Sequence, residues 1–393
     1  MALPPTLSVV LPNYNHAEFL GRALQALLAQ ERRADEIILI DDASIDSSIR
    51  VIEEFAANAP SISVLTNAQN IGVIPTLERG LRVAQGKYIY FAAADDFVLP
   101  GFFETALERL EANADLGLFC GQAVLIEGRT NRPFALRPAV WPRMSRGRID
   151  PARVRRLLKT TDNWILTGSS IFRRECVLWA GGFDNGLGPF ADGMLARKLA
   201  LKFGFFFEPE PVATWVIFSD SQSRSTALDR HKTTHFLDAV PSWLAADPIF
   251  PAWYAESFRN RSRFSACRLV LQRKPLDREF ILTVGARSPA ESATIKKIMR
   301  LPDRQARWAI LALLWYWLRP IALTSLLRTS FAMCMRHLAF GRWFGQTRRR
   351  ACAFSDSSKR DAGSRLATSK DDERSRSQTR ITDEYRATRS GRG

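Results

Sequence analysis

A chain of 393 residues, 46% hydrophobic and with a formal net charge of +16, has room for two or three domains with a sizeable core and calls for an anionic partner. Five scattered cysteines, an odd number with no Cys-x-x-Cys, exclude a disulfide framework and point to a reducing compartment. No apolar run of about 18 residues suggests a conventional membrane span, and Met1–Pro5 lacks the basic and apolar pattern of a secretory signal, so a cytoplasmic setting is expected.

Taken in order, Leu7–Leu11 is a β-branched, apolar run that reads as a buried strand, followed by the loop Pro12-Asn13-Tyr14-Asn15. Leu20, Ala23, Leu24, Leu27 and Leu28 recur at helical spacing. Glu36–Ile40 reads as a second strand, broken by Asp41-Asp42-Ala43-Ser44, with Asp46 as N-cap of the next helix. Ser61–Leu65 gives a third strand, then comes the loop Asn67–Gly72, with Gly72 suited to a left-handed turn. Pro75 opens a helix to about Ala84. Tyr88–Ala94 is apolar throughout and stops at Asp95-Asp96, the pattern of a strand buried on both faces. A helix follows from Pro100 to about Asn113. This alternation predicts right-handed βαβ units and an α/β fold with a mostly parallel sheet.

The middle of the chain is less regular. Gly117–Ile126 reads as a strand, Asn131–Arg148 as a Pro- and Arg-rich loop, and Asp150-Pro151 as the start of a helix. Trp164–Phe172 reads as a strand and Gly181–Asp184 as a turn. Asp192 opens another helix, and Phe205–Phe207 and Pro211–Phe218 read as two further strands. From about Ala227 the pattern is helical and aromatic.

The chemistry gathers at three loops, each at the carboxyl end of a parallel strand, where open α/β sheets bind ligands. Two carboxylates about 4 Å apart repel by roughly 4 kcal/mol at an effective dielectric near 20, so Asp95-Asp96 invites a cation, a donor or a shared proton. An oxygen-bound Mg²⁺ or Mn²⁺ shared with substrate phosphate answers that need. The bland alternative is a pair of solvated turn acids. Tyr14 can stack on a base and Asp42 can accept from its ring N–H, although an acid at 42 equally suits a cap or turn. No Gly-x-Gly-x-x-Gly or Gly-x-x-x-x-Gly-Lys-Ser/Thr is present, and neither is a Gly-x-Ser-x-Gly or His-x-x-x-His. Dinucleotide, P-loop and common hydrolase sites are therefore disfavoured.

Ser8–Asn15, Glu36–Ser44, Asn70-Ile71-Gly72 and Gly86–Asp96 with Pro100 resemble, in order and spacing, the motifs of family 2 glycosyltransferases of the GT-A fold. Gly181-Gly182-Phe183-Asp184 and Phe190-Ala191-Asp192 look like that family's acceptor-side motif. The resemblance covers about the first 225 residues. It implies inverting transfer from a nucleoside diphosphate sugar, a UDP-sugar first, to a saccharide or lipid-linked acceptor hydroxyl, in making cell-surface polysaccharide, lipopolysaccharide or glycolipid. Position by position, it implies that Pro12, Asn13, Tyr14, Asn15, Asp42, Asn70 and Asp95 surround the nucleotide and that Asp96, with Asp95, holds Mg²⁺ or Mn²⁺. Asp192 would be the general base. Ala93 stands where many members carry another acid, Ala191 replaces the usual acid before Asp192, and Trp215–Phe218 replace frequent Arg and His.

The expected organisation is a GT-A domain over 1–225, a helical extension over 226–304, amphipathic helices over 305–340 and a disordered basic tail over 341–393. The Trp- and Arg-bearing third segment fits either helices in the plane of an anionic membrane surface or packing on the body. The alternatives to a transferase are a weakly catalytic sugar-nucleotide binder and a nucleotidyltransferase, for which no Gly- and Lys/Arg-rich triphosphate loop follows Leu11. Nucleic-acid binding is disfavoured because the basic tail lacks interleaved aromatics.

Overall fold

The structure, a computed structural model, describes residues 6–317 except 139–140, 144, 163 and 219–221. Among them nine strands form one sheet: β1 (Leu7–Asn13), β2 (Glu36–Asp41), β3 (Ile62–Thr66), β4 (Tyr88–Phe91), β5 (Leu118–Glu127), β6 (Arg132–Arg137), β7 (Gly147–Ile149), β8 (Ser170–Arg173) and β9 (Phe205–Ile217). Their order is β3-β2-β1-β4-β8-β5-β9-β7, with β6 on β5. β1 pairs in parallel with β2 and β4, and β2 with β3; β8 runs antiparallel to β4 and β5, and β9 parallel to β5. This is the mixed, mostly parallel sheet flanked by helices that the alternation implied.

The strands are apolar on both faces because each face carries its own core. Leu7, Val9, Leu11, Tyr88 and Tyr90 point to one, where helices Ala17–Leu28 and Phe102–Glu111 pack. Val10, Ile38, Ile40, Ile89 and Phe91 point to the other, under helices Val73–Val83 and Ala191–Phe203. Helix Val73–Val83 comes so near the sheet that a Cβ on Gly80 would lie 2.3 Å from Val10 Cγ1. Glycine at 80 is what permits that approach.

Several expected elements come out differently. Trp164–Phe172 is not one strand: a 3-10 turn, Thr167–Ser169, precedes β8, closed by the Ser169 and Ser170 hydroxyls on the Leu166 carbonyl. The expected loop 131–148 contains β6 and β7; Asn131, at φ 54, completes the turn into β6, and Pro133 is tolerated because β6 is an edge strand. Phe205–Phe207 and Pro211–Phe218 merge, but for Phe218, into a single strand of 13 residues whose register shifts opposite Cys120–Ala123 absorb Pro209 and Pro211. Ser47 rather than Asp46 is the N-cap of helix Ser48–Asn58; Asp46 instead accepts from the amides of Ser48 and Ala17. Gly72 has φ 89 and ψ 162, outside the left-handed helical region and open essentially to glycine alone.

After β9 the described chain is helical: Gln222–Leu228, Arg230–Ala246, Tyr254–Leu271, Arg278–Gly285, Pro289–Ile298 and Asp303–Trp317. Val240, Leu244, Tyr254 and Phe258 join a sheet-face core, whereas Cys267, Phe280, Ile281, Ile295, Ile310 and Leu314 belong to a third one. On the last helix Ile310 and Leu314 are buried while Trp308 and Tyr316 are exposed. No helix among the described residues is long and apolar enough to cross a membrane. The expectations for 318–340 and 341–393 lie outside the described residues.

Candidate active site

Strand order reverses between β1 and β4, and the loops leaving β1, β2 and β4 meet at that crevice. Asn13, at the end of β1, is buried and donates from Nδ2 to Asp41 Oδ1 at 2.8 Å and Ser44 Oγ at 3.2 Å. Asp41 also accepts from the Ser44 amide and hydroxyl. Its carboxylate is thus wholly engaged in holding the loop after β2, which is structural work. Asn15, at φ 55, accepts from the Ile45 amide, and Ala43 follows Asp42 at φ 61, so both loops are held in a sparsely populated backbone region. Between them Tyr14 is 39% exposed.

Asp42 is buried, and its carboxylate organises a third loop. Oδ1 accepts from Asn67 Nδ2 at 2.7 Å and the Ile71 amide at 2.9 Å, and Oδ2 accepts from the Gly72 amide at 2.9 Å. Asn70 is exposed, and its Oδ1 accepts from the same Gly72 amide. Asp42 and Asn70, two of the residues that the motif reading placed around the nucleotide, therefore shape the loop leading into helix Val73–Val83.

Asp95 and Asp96 follow β4 and are half-buried. Asp96 Oδ1 accepts from the Val216 amide on β9 at 2.6 Å, and Oδ2 faces Gly168, 3.9 Å from where a Cβ there would sit. Burial, then the neighbouring Asp95, pushes the Asp96 carboxyl well above the usual carboxylate range, against the pull of the Val216 amide and Arg22. Arg22 lies over the Phe97 ring at 4.5 Å and donates to Asn131 Oδ1 and the Asp95 carbonyl. Sequence spacing gave no hint of this cation, because helix Ala17–Leu28 meets the acid pair only through the fold. Tyr90, fully inside, donates its hydroxyl to the Gly168 carbonyl at 3.0 Å.

The segment Gly181–Asp192 packs against β4 and helix Val73–Val83. Phe183 packs edge-on against Phe91 of β4, with centroids 4.7 Å apart, and its amide donates to Glu78 of helix Val73–Val83. Asp184 caps the short turn after it by accepting from the Gly186 amide. A cavity of about 380 Å³ opens beside this motif, lined by Gly182, Phe183, Asn185, Lys198, Trp243 and Asp247, among others. Asp192, in the first turn of its helix, accepts from the Gly193 amide at 2.6 Å. Burial raises its carboxyl, opposed first by that amide and then by Thr167 and Arg197. Asp96 and Asp192 thus both approach the 3-10 turn Thr167–Ser169, which the strand reading of this segment concealed.

Among the described residues no group of three or more His, Cys, Asp and Glu side chains forms a closed metal site. The donor set at Asp95-Asp96 does fit a hard divalent ion of the Mg²⁺ or Mn²⁺ kind, which takes one or two carboxylates and leaves the remaining positions to water and phosphate. A carboxyl whose charge is disfavoured by burial and a like charge, with one oxygen tied to the Val216 amide and the other beside Gly168, suits such a ligand.

Residues 8–178 match the family described as glycosyl transferase family 2. The uncharacterized glycosyltransferase YibD of Escherichia coli K12 is 31% identical over 178 residues, 44% of this chain and 47% of that protein. The minor teichoic acid biosynthesis protein GgaB of Bacillus subtilis is 32% identical over 126 residues, 31% of this chain and 14% of that one. The chain thus spans less than half the length of these two relatives. Among solved structures, residues 1–349 of S. aureus TarS in complex with UDP-GlcNAc align with a TM-score of 0.55 and 13% identity, over 80% of this chain and 89% of that one. The mannosyltransferase PcManGT of Pyrobaculum calidifontis, in complex with GDP-Man and Mn²⁺, aligns with a TM-score of 0.50 and 18% identity, over 83% and 88%. At these identities the structural likeness is one of fold: the chain has the GT-A fold, and its residues 8–178 match glycosyl transferase family 2 in sequence.

Proposed function

We propose that this protein transfers a sugar, with inversion, from a nucleoside diphosphate sugar to an acceptor hydroxyl, using a divalent cation. The observation that carries the reading is that Asp96, after β4, and Asp192, in the first turn of its helix, both approach the turn Thr167–Ser169. Tyr14 stacks on the base, Pro12, Asn13 and Asn15 form the wall beside it, and Asp42 and Asn70 hold the loop that faces the nucleotide. Asp96, with Asp95, holds Mg²⁺ or Mn²⁺, which when bound offsets the charge growing on the departing diphosphate. Asp192 takes the acceptor proton as the acceptor oxygen attacks the sugar from the face opposite the diphosphate.

The donor expected first is a UDP-sugar, and the acceptor a saccharide or lipid-linked saccharide seated toward the cavity beside Gly182–Asn185. Kinship with a teichoic acid biosynthesis protein supports a place in cell-surface polysaccharide synthesis. The same reading puts the protein at the inner face of the plasma membrane, attached peripherally through 305–340; recovery of the whole chain in the soluble fraction of a flotation assay would count against that part. The enzymatic test is turnover of a panel of sugar nucleotides with Mn²⁺ or Mg²⁺. Asp96→Ala and Asp192→Ala are each expected to lose about a hundredfold or more in rate, the scale of a general base or a metal-held charge. Full activity in both variants would sink the mechanism.

A further inference from the structure

A set of buried charges stands behind Asp192 that the reaction above has not used. Arg197, on the same helix, donates from Nε to the Asp162 carbonyl at 3.0 Å. Its Nη1 lies against Gly193, where a Cβ would come within 2.6 Å of it. Glycine at 193 leaves room for the guanidinium beside the very amide that Asp192 accepts from. Asp162 Oδ2 accepts in turn from the Tyr254 hydroxyl at 3.0 Å and from Arg261 Nη1 at 2.9 Å, and Arg261 Nη2 donates to the Leu158 carbonyl at 2.8 Å. The Arg261 and Asp162 side chains are only 13% and 14% exposed.

Two guanidiniums therefore face two carboxylates in a largely dry setting, at a desolvation cost that well-packed apolar residues would avoid. Tyr254 and Arg261 both come from helix Tyr254–Leu271, beyond the sheet and beyond the family match. We propose that Arg197 is a positioning residue for Asp192, anchored from behind by Asp162, Tyr254 and Arg261, so that the helical segment after the sheet is a working part of the acceptor side of the site. This rests on the reading of Asp192 as the base.

The charged group acting on Asp192 is Arg197, on its own helix; the Thr167 hydroxyl and the Gly193 amide are the polar groups with it. Arg197 in turn faces Tyr254, Asp162 and Asp192. A base must be ionised when the acceptor arrives, and burial works against that, so a fixed cation alongside keeps Asp192 usable near neutrality.

The direct test is a carboxyl-carbon NMR titration of the full chain labelled at aspartate, with the Asp192 signal assigned by its loss in Asp192→Asn. Arg197→Gln is expected to raise the Asp192 midpoint by about one pH unit or more. An unshifted midpoint overturns the role of Arg197 and leaves the base assignment standing. If Arg197→Gln is too unstable to titrate, Arg197→Lys keeps the charge but not the fork. Its release of UDP from UDP-GlcNAc or GDP from GDP-mannose, with Mn²⁺, is expected to fall about tenfold or more at unchanged donor KM. Wild-type turnover in that variant overturns the proposal. Wild-type turnover in Asp192→Asn overturns the base assignment itself, and the proposal with it.

Discussion

Both oxygens of Asp42 are committed to the chain's own loop, through Asn67 and the amides of Ile71 and Gly72. Removing them leaves the Ile71 amide without its acceptor and the loop held only by Asn70 on the Gly72 amide and Thr76 on Asn67 Nδ2. Asp42→Ala should therefore cost about 1–3 kcal/mol in urea unfolding and weaken sugar-nucleotide binding by disordering the loop. Asp96 behaves in the opposite sense. Its folded carboxyl is raised, so the folded chain holds a proton that the unfolded chain, near the ordinary value of about 3.9, has released. Stability of the metal-free protein is thus lost as pH rises from the ordinary carboxylate range through the raised value. Asp96→Asn should raise the Tm at pH 7 by about 2 °C or more, an advantage that disappears below pH 4. Mn²⁺ should raise the Tm of the wild type by mass action and leave that of Asp96→Asn nearly unmoved. A lower Tm for metal-free Asp96→Asn at neutral pH would contradict the burial argument. At this scale the sequence told which residues gather at the rim but not how neighbouring acids divide their work. Asp41, Asp42, Asp95 and Asp96 are chemically identical, and only the amides that each one meets distinguish a loop anchor from a ligand.

Among the elements, β1, β2 and β4 and the helices between them were legible because these strands are buried on both faces and each helix on one, so hydrophobic period alone located them. β6 and β7 were not, since a short edge strand carrying Pro133 and a three-residue strand gain their identity from partners distant in the chain. The turn before β8 escaped for a related reason: hydroxyl-to-carbonyl bonds bend a segment whose composition reads as extended. Helix Val73–Val83 allows a sharper test of element packing. Gly80→Ala places a methyl 2.3 Å from Val10 Cγ1 and 3.0 Å from Ile40 Cδ1. It should destabilise by about 1–3 kcal/mol in urea, although alanine is the better helix former. An unchanged or raised midpoint would mean that the helix lifts from the sheet without penalty.

For the molecule as a whole, family kinship and fold agree, while the segment beyond the sheet carries features that the motif comparison does not reach. Helices Arg230–Ala246 and Tyr254–Leu271 contribute one part of their length to a sheet-face core and another part to the third core, with Leu237, Cys267 and Val270 on the far side. The aromatic pattern after Ala227 made the helices legible, but not this division, which depends on where each helix leaves the sheet. Among the described residues the buried members of the third core all lie between 237 and 314, and none of them is on a strand. A body built that way need not open at the same free energy as the sheet beneath it. In native-state hydrogen exchange, amides of Arg278–Gly285 and Pro289–Ile298 should lose protection together at denaturant levels where β1 and β4 are still closed. A single shared opening energy would refute this. The two long helices would then act as a fuse, in which the outer cluster comes loose first and the inner halves of both helices, Tyr254 included, hold until the sheet itself gives way.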